Sequence, residues 1–245
     1  MLRREIFHKS STKSIDLFLA RNPEFMQLGK LAIMLCILEA EKKSRFREST
    51  NTHQQDWYSY LYQKLTDDLI TKEDCRRLSE NNVSFITFNY DRSLEHFFYE
   101  SLKYSFNGIK EAIILEQLSK LRIIHIFGQI DNLDWQTPQK HIKYGNVKGL
   151  TTLSPNVRII YDENKNPEIE ECHKLLNNAE RIFFLGFGYA KENLELLNIP
   201  KSLQTNNIFG TALNLTEREI GMIANVIPNA RLFDEDCLTL LRKCL

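Results

Sequence analysis

The chain has no C-x-x-C pair, no apolar run near the length of a membrane span and no surplus of either charge. It carries a single glycine, Gly29, in its first 107 residues. Each absence removes a class of protein. Zinc ribbons and disulfide frameworks need closely paired cysteines. Cys36, Cys75, Cys172, Cys237 and Cys244 are odd in number and widely spaced, so they read as small buried hydrophobes, and no metal is expected. The longest apolar stretches, such as residues 31–38, fall far short of the ~20 residues of a spanning helix. Met1-Leu2-Arg3-Arg4 leads into polar sequence and not into the apolar centre of a signal peptide. The expected location is the cytoplasm, with no membrane partner. The 32 Lys and Arg balance the 32 Asp and Glu, which argues against direct nucleic-acid binding by phosphate neutralisation.

What is present is a globular composition: 245 residues, 42% apolar and 26% charged. That length suits one large α/β domain, or a medium domain with a helical lobe. Seven of the nine glycines lie between Gly128 and Gly221, so tight strand-to-helix turns are expected there and helices before. Ser14 precedes an apolar segment with Asp16 in its first turn, a helix opening. Asn22-Pro23-Glu24 restarts a helix with proline at its first position. Phe25, Leu28, Leu31, Ala32, Leu35 and Leu38 then mark one apolar face. Residues 43–55 read as a solvent loop, Asp56-Trp57 as another helix start, and 72–80 as a further helix.

The pattern changes after residue 80. Residues 83–88, 121–127, 157–161 and 181–185 are short β-branched and aromatic runs, and 207–213 is a weaker one. Helical stretches at 94–103, 109–120, 169–179, 193–197 and 217–225 separate them. Strands alternating with helices imply parallel βαβ units. The expected fold is α/β, with a Rossmann-like parallel sheet of about five strands over residues 81–245 and a helical region over 1–80.

In an open parallel sheet, ligands bind beyond the carboxyl ends of the strands. Thr87-Phe88-Asn89-Tyr90-Asp91 ends the first strand in an amide and a carboxylate, which either contact a ligand or cap the helix that follows. His125 shares a strand face with Ile123 and Phe127, ahead of Gly128 and Gln129. It is either a satisfied strand histidine or a general base. Gly186-Phe187-Gly188, with Asn193 beyond, forms a strand-to-helix bend where backbone N–H groups can meet a ribose or phosphate, or simply turn. Gly210-Thr211 is a weaker fourth place.

Taken together these segments resemble the sirtuin-like NAD-binding family, in its zinc-free bacterial branch linked to anti-phage defence. Ile86-Thr87-Phe88-Asn89-Tyr90-Asp91-Arg92-Ser93-Leu94-Glu95 resembles that branch's T-x-N-Y-D-x-x-L-E motif. Ile123-Ile124-His125-Ile126-Phe127-Gly128-Gln129 resembles its second strand motif, and Phe184-Leu185-Gly186-Phe187-Gly188-Tyr189 with Asn193 its third. The helical opening Ile15-Asp16-x-Phe18-Leu19-x-x-x-Pro23-Glu24-Phe25, with Gly29-Lys30, resembles an insertion seen in some members. The resemblance implies an NAD glycohydrolase releasing nicotinamide and ADP-ribose. It assigns Asn89 to water or the nicotinamide ribose, Asp91 to the carboxamide, and Gly186 and Gly188 to the ribose–phosphate region. Asn193 would shape that edge, with Thr87, Gly128, Phe187, Gly210 and Thr211 completing the nucleotide contacts.

Two departures accompany it. Family members open with a strand and a G-A-G-x-S phosphate loop, whereas no glycine precedes Gly29 here, as if the chain starts late. A sheet lacking that strand exposes an edge, so a homo-oligomer or a partner protein is expected. Sirtuins carry their catalytic histidine immediately before the glycine, where this chain has Phe127. His125 would substitute from about 7 Å farther back along the strand. A catalytically degenerate module that binds a nucleotide, or serves as an interaction scaffold, is the alternative. A deacylase is disfavoured by the missing four-cysteine zinc module.

Overall fold

The computed structural model describes residues 14–44, 46, 56–137, 141–149, 157–159, 167–199 and 207–245. The chain divides into two compact units, one of Met1–Thr52 with Thr71–Lys165 and one of His53–Ile70 with Asn166–Leu245.

In the first unit, helix α1 (Ile15–Arg21) begins where Ser14 Oγ accepts from the Leu17 N–H at 3.1 Å. That bond satisfies one of the orphan amides of a first turn. A 3₁₀ turn (Pro23–Phe25) with proline at its start leads into α2 (Met26–Lys43). The face that α2 buries is not the expected stripe. Met34, Leu38 and Glu41 point inward, while Leu35 is 38% exposed. Residues 31–38 are apolar all round, so spacing there does not choose a side. Ile130, Ile142 and Val157 make the choice by closing a cluster with Met34 and Leu38. A second cluster joins Phe18 and Leu19 to Ile159. The next helix, α3 (Trp57–Thr66), belongs to the second unit and is capped by Asp56, which accepts from the Ser59 N–H at 3.0 Å.

A 3₁₀ segment (Asp74–Asn81) stands where the sequence suggests an α-helix over 72–80. Strand β1 (Ser84–Thr87), helix α4 (Ser93–Ser105), helix α5 (Glu111–Lys120) and strand β2 (Arg122–His125) follow. The two strands pair in parallel, Ser84 opposite Arg122 and Thr87 opposite His125, and α4 packs on α5.

In the second unit, β3 (Ile182–Phe184), β4 (Ile208–Thr211) and β5 (Ala230–Phe233) form a parallel sheet in the order β3-β4-β5. Helices α6 (Pro167–Asn177), α7 (Lys191–Leu197), α8 (Glu217–Val226) and α9 (Cys237–Cys244) belong to the same unit, with α6 against α7 and α9 against α3 and β4. Helix α8 opens on a capping box between Thr216 and Glu219.

The fold is α/β with parallel strands. Among the described residues these strands form a pair and a triplet, and the single Rossmann-like sheet of five is not seen. Two expectations fail. Val157, Arg158 and Ile159 are not strand; Arg158 N–H donates to Phe127 O at 2.8 Å, while Val157 and Ile159 fill the two core clusters. Ile160 and Tyr161 lie outside the described residues. Strand β5 goes unforeseen because Ala230-Arg231-Leu232-Phe233 is short and set among polar residues. It forms because β4, buried along its whole length, has an edge to satisfy.

Gly145 meets the end of α2 at close range. Its φ is +63°, and a Cβ there would lie 2.8 Å from the Lys42 backbone. Both constraints demand glycine. Gly145→Ala is expected to cost about 2–3 kcal/mol, read as a lower urea midpoint for the intact chain.

Candidate functional site

The polar residues that end β1 and open α4 are held by two buried charged pairs. The first is Arg92 with Glu41, whose side chains are 0% and 1% exposed. Arg92 Nε donates to Glu41 Oε1 at 3.1 Å and Nη2 to Oε2 at 2.7 Å, and Nη1 donates to Ile142 O at 2.5 Å and Asn132 O at 3.3 Å. The backbone N–H groups of Arg92 and Gly145 also donate to the Glu41 carboxylate, at 3.2 and 3.0 Å. A guanidinium presents its donors in a fixed fork, and here each of its three nitrogens donates at least one hydrogen bond.

The second pair is His125 with Glu95, both buried. His125 Nε2 lies 2.7 Å from Glu95 Oε1, and Nδ1 lies 2.8 Å from the carbonyl of Asn89. A carbonyl only accepts, so Nδ1 carries a proton. Burial favours the neutral ring. The hydrogen bond and charge of Glu95, the Asn89 carbonyl and the charge of Asp91 outweigh it, and the ring titrates above its ordinary 6.5.

Around these anchors the loop is pinned along its length. Thr87 Oγ1 accepts from the Asn89 N–H at 3.1 Å, Tyr90 O accepts from Ile130 N–H at 3.2 Å, and the Tyr90 hydroxyl donates to Arg158 O at 2.6 Å. The Asn89 side chain is exposed. Asp91 is half-buried, and its Oδ1 accepts from the Ser93 N–H at 3.0 Å, so it serves the start of α4. Gly128 turns the chain after β2 at φ +76° and donates its N–H to His125 O at 3.0 Å. Phe127 packs edge-on against Phe88, ring centres 5.6 Å apart.

In the second unit the expected residues divide differently. Thr211 Oγ1 accepts from the Gly186 N–H at 2.9 Å and lies 3.4 Å from the Phe184 carbonyl, its acceptor. Its hydroxyl is spent on the turn. Gly210 is buried, and a Cβ on it would lie 2.1 Å from the Tyr189 hydroxyl. Gly186 and Gly188 are exposed, Gly186 at φ +60° and Gly188 with open space where a Cβ would stand. Phe187 packs with Phe184 and Tyr189, and Asn193 is half-buried in α7. Burial raises the Cys237 thiol above its ordinary value, which keeps it out of the thiolate form a nucleophile needs.

Thr87, Asn89, Asp91, His125 and Gly128 therefore gather at the carboxyl end of β1 and β2, while Gly186, Phe187, Gly188, Asn193, Gly210 and Thr211 surround the β3 turn in the other unit. Sequence reasoning passed over Glu41, Arg92 and Glu95 as site residues. Glu95 was within reach of it, standing inside the ten-residue segment around Asn89; Glu41 was not, being 51 residues from its partner. Among the described residues no helix is long and apolar enough to cross a membrane, and no group of His, Cys, Asp and Glu is arranged to hold a metal. Comparison with protein-family models, curated proteins and solved structures finds no match.

Two outcomes are expected. Glu41→Ala leaves Arg92 enclosed without a counter-charge and should cost about 3–5 kcal/mol in urea unfolding. Because the folded value of His125 lies above 6.5, its contribution is complete below pH 6.5 and fades as pH rises through the folded value. The unfolding midpoint should decline across that window in the wild-type chain and stay level in His125→Gln.

Proposed function

We propose that the chain is a sirtuin-like, NAD-binding enzyme that hydrolyses the bond between nicotinamide and ribose, acting in bacterial anti-phage defence. The observation that carries this reading is Asn89. Its backbone N–H and carbonyl are both committed inward, and its exposed amide stands at the carboxyl end of a parallel strand pair. An amide offers both a donor and an acceptor, which suits a ribose hydroxyl or an attacking water.

The reaction breaks the C1′–N bond of NAD, and the electron pair leaves with nicotinamide. Positive charge develops on the ribose, water bonds to C1′, and its proton passes to solvent. Catalysis then depends on placing the water and the sugar, not on a strong base. His125 fits a holding role, because both its ring nitrogens are engaged within the fold. Asp91 retains a second carboxylate oxygen for a carboxamide N–H. In the second unit, taken by itself, the exposed backbone at Gly186 and Gly188 supports a ribose or phosphate contact.

A second reading, a nucleotide-binding or protein-interaction scaffold without turnover, is favoured by the packing of Phe127 on Phe88 where sirtuins carry their base. Incubating the purified chain with NAD and separating nicotinamide and ADP-ribose decides between them. Release is expected, and Asn89→Ala should slow it about a hundredfold. NAD binding by calorimetry without release would establish the scaffold instead.

A further inference from the structure

We propose that Glu95 is a positioning residue of this site, acting through His125 to hold the Asn89 turn in the form that presents the Asn89 amide outward. Its catalytic consequence rests on the NAD-cleaving reading; the hold on the turn does not.

The geometry is a short relay. Glu95 Oε1 faces His125 Nε2 at 2.7 Å, and His125 Nδ1 donates to Asn89 O at 2.8 Å. Glu95 comes from the first turn of α4, His125 from the end of β2 and Asn89 from the loop after β1. The relay thus joins three separate elements. Among the described residues Glu95 Oε2 is buried without a hydrogen-bond partner, and His125 is the one group there that the carboxylate bonds. The charged groups facing the ring are Glu95 from α4 and Asp91 from the loop; the paired strand, Ser84–Thr87, contributes none. A carboxylate against one nitrogen favours a ring protonated on both, and the proton on Nδ1 is the one that grips Asn89 O. Removing the charge loosens that grip without touching any group that meets the substrate.

The test uses the full-length chain. The ring nitrogens are followed by NMR after histidine labelling, and nicotinamide release from NAD is measured between pH 6 and 9. Wild type, Glu95→Gln, His125→Ala and the double variant are compared. In wild type the ring should keep both protons above pH 6.5, and in Glu95→Gln it should lose one at lower pH. Glu95→Gln should lower kcat about tenfold with KM little changed. That loss should vanish when His125 is already alanine. A ring that titrates alike with and without Glu95, or a full Glu95→Gln loss in the His125→Ala background, would overturn the proposal. If the variants do not fold, the wild-type spectrum still decides: an Nδ1 without a proton at pH 6.5 ends it. Failure of the wild-type chain to release nicotinamide would instead sink the enzymatic reading, leaving the ring titration to judge the hold on Asn89.

Discussion

Arg92 and Glu41 lie wholly inside the first unit, and enclosing two charges costs several kcal/mol for each ion unless every donor and acceptor is met. Here they are met. The Glu41 carboxylate takes bonds from Nε and Nη2 of Arg92 and from the N–H groups of Arg92 and Gly145, and Nη1 is shared between Ile142 O and Asn132 O. One node thereby joins the end of α2 and the start of α4 to Asn132, Ile142 and Gly145. The glycine is part of the same constraint, since its N–H reaches Glu41 only because its backbone lies against Lys42.

The first turn of α4 continues the theme. Arg92 and Glu95 stand three residues apart, so they project from neighbouring positions on the helix. One is tied to α2 and the other to β2. The loop from Phe88 to Asp91 is suspended between β1 and this doubly anchored turn, and its backbone has little freedom left. The backbone that carries the exposed Asn89 side chain is held at both its N–H and its carbonyl.

Polar residues at strand ends are not all available in this way. Thr211 closes the turn after β3, and Gly210 exists to admit the Tyr189 ring. Tyr189 itself holds φ at +49° within a cluster of three aromatic rings. In the second unit the hydroxyl of Thr211 and the rings of Phe184, Phe187 and Tyr189 serve the turn and its packing, while Gly186 and Gly188 leave backbone exposed.

Much of the local structure is legible from residue types. Ser14, Pro23 and Asp56 open helices where their chemistry says they should, and four of the five apolar runs become strands. The role of Asp91 as acceptor at the start of α4 is likewise visible in its position. Less accessible were the face of α2, where apolar residues run round the helix, and β5, whose residues carry little strand signal. Val157 and Ile159 show the reverse, a run with strand composition that the two core clusters absorb.

Sequence by itself determined where several helices begin, that four of the apolar runs extend, and that the strands run parallel, because caps, proline and β-branched runs act within a few residues of themselves. Only the tertiary structure decided that Glu41 meets Arg92, that Glu95 meets His125, and that the strands divide two and three. Those outcomes depend on which buried charge finds a partner and which edge finds a neighbour. Both are settled by packing across 30 residues in one pair and 51 in the other, far beyond the reach of local pattern.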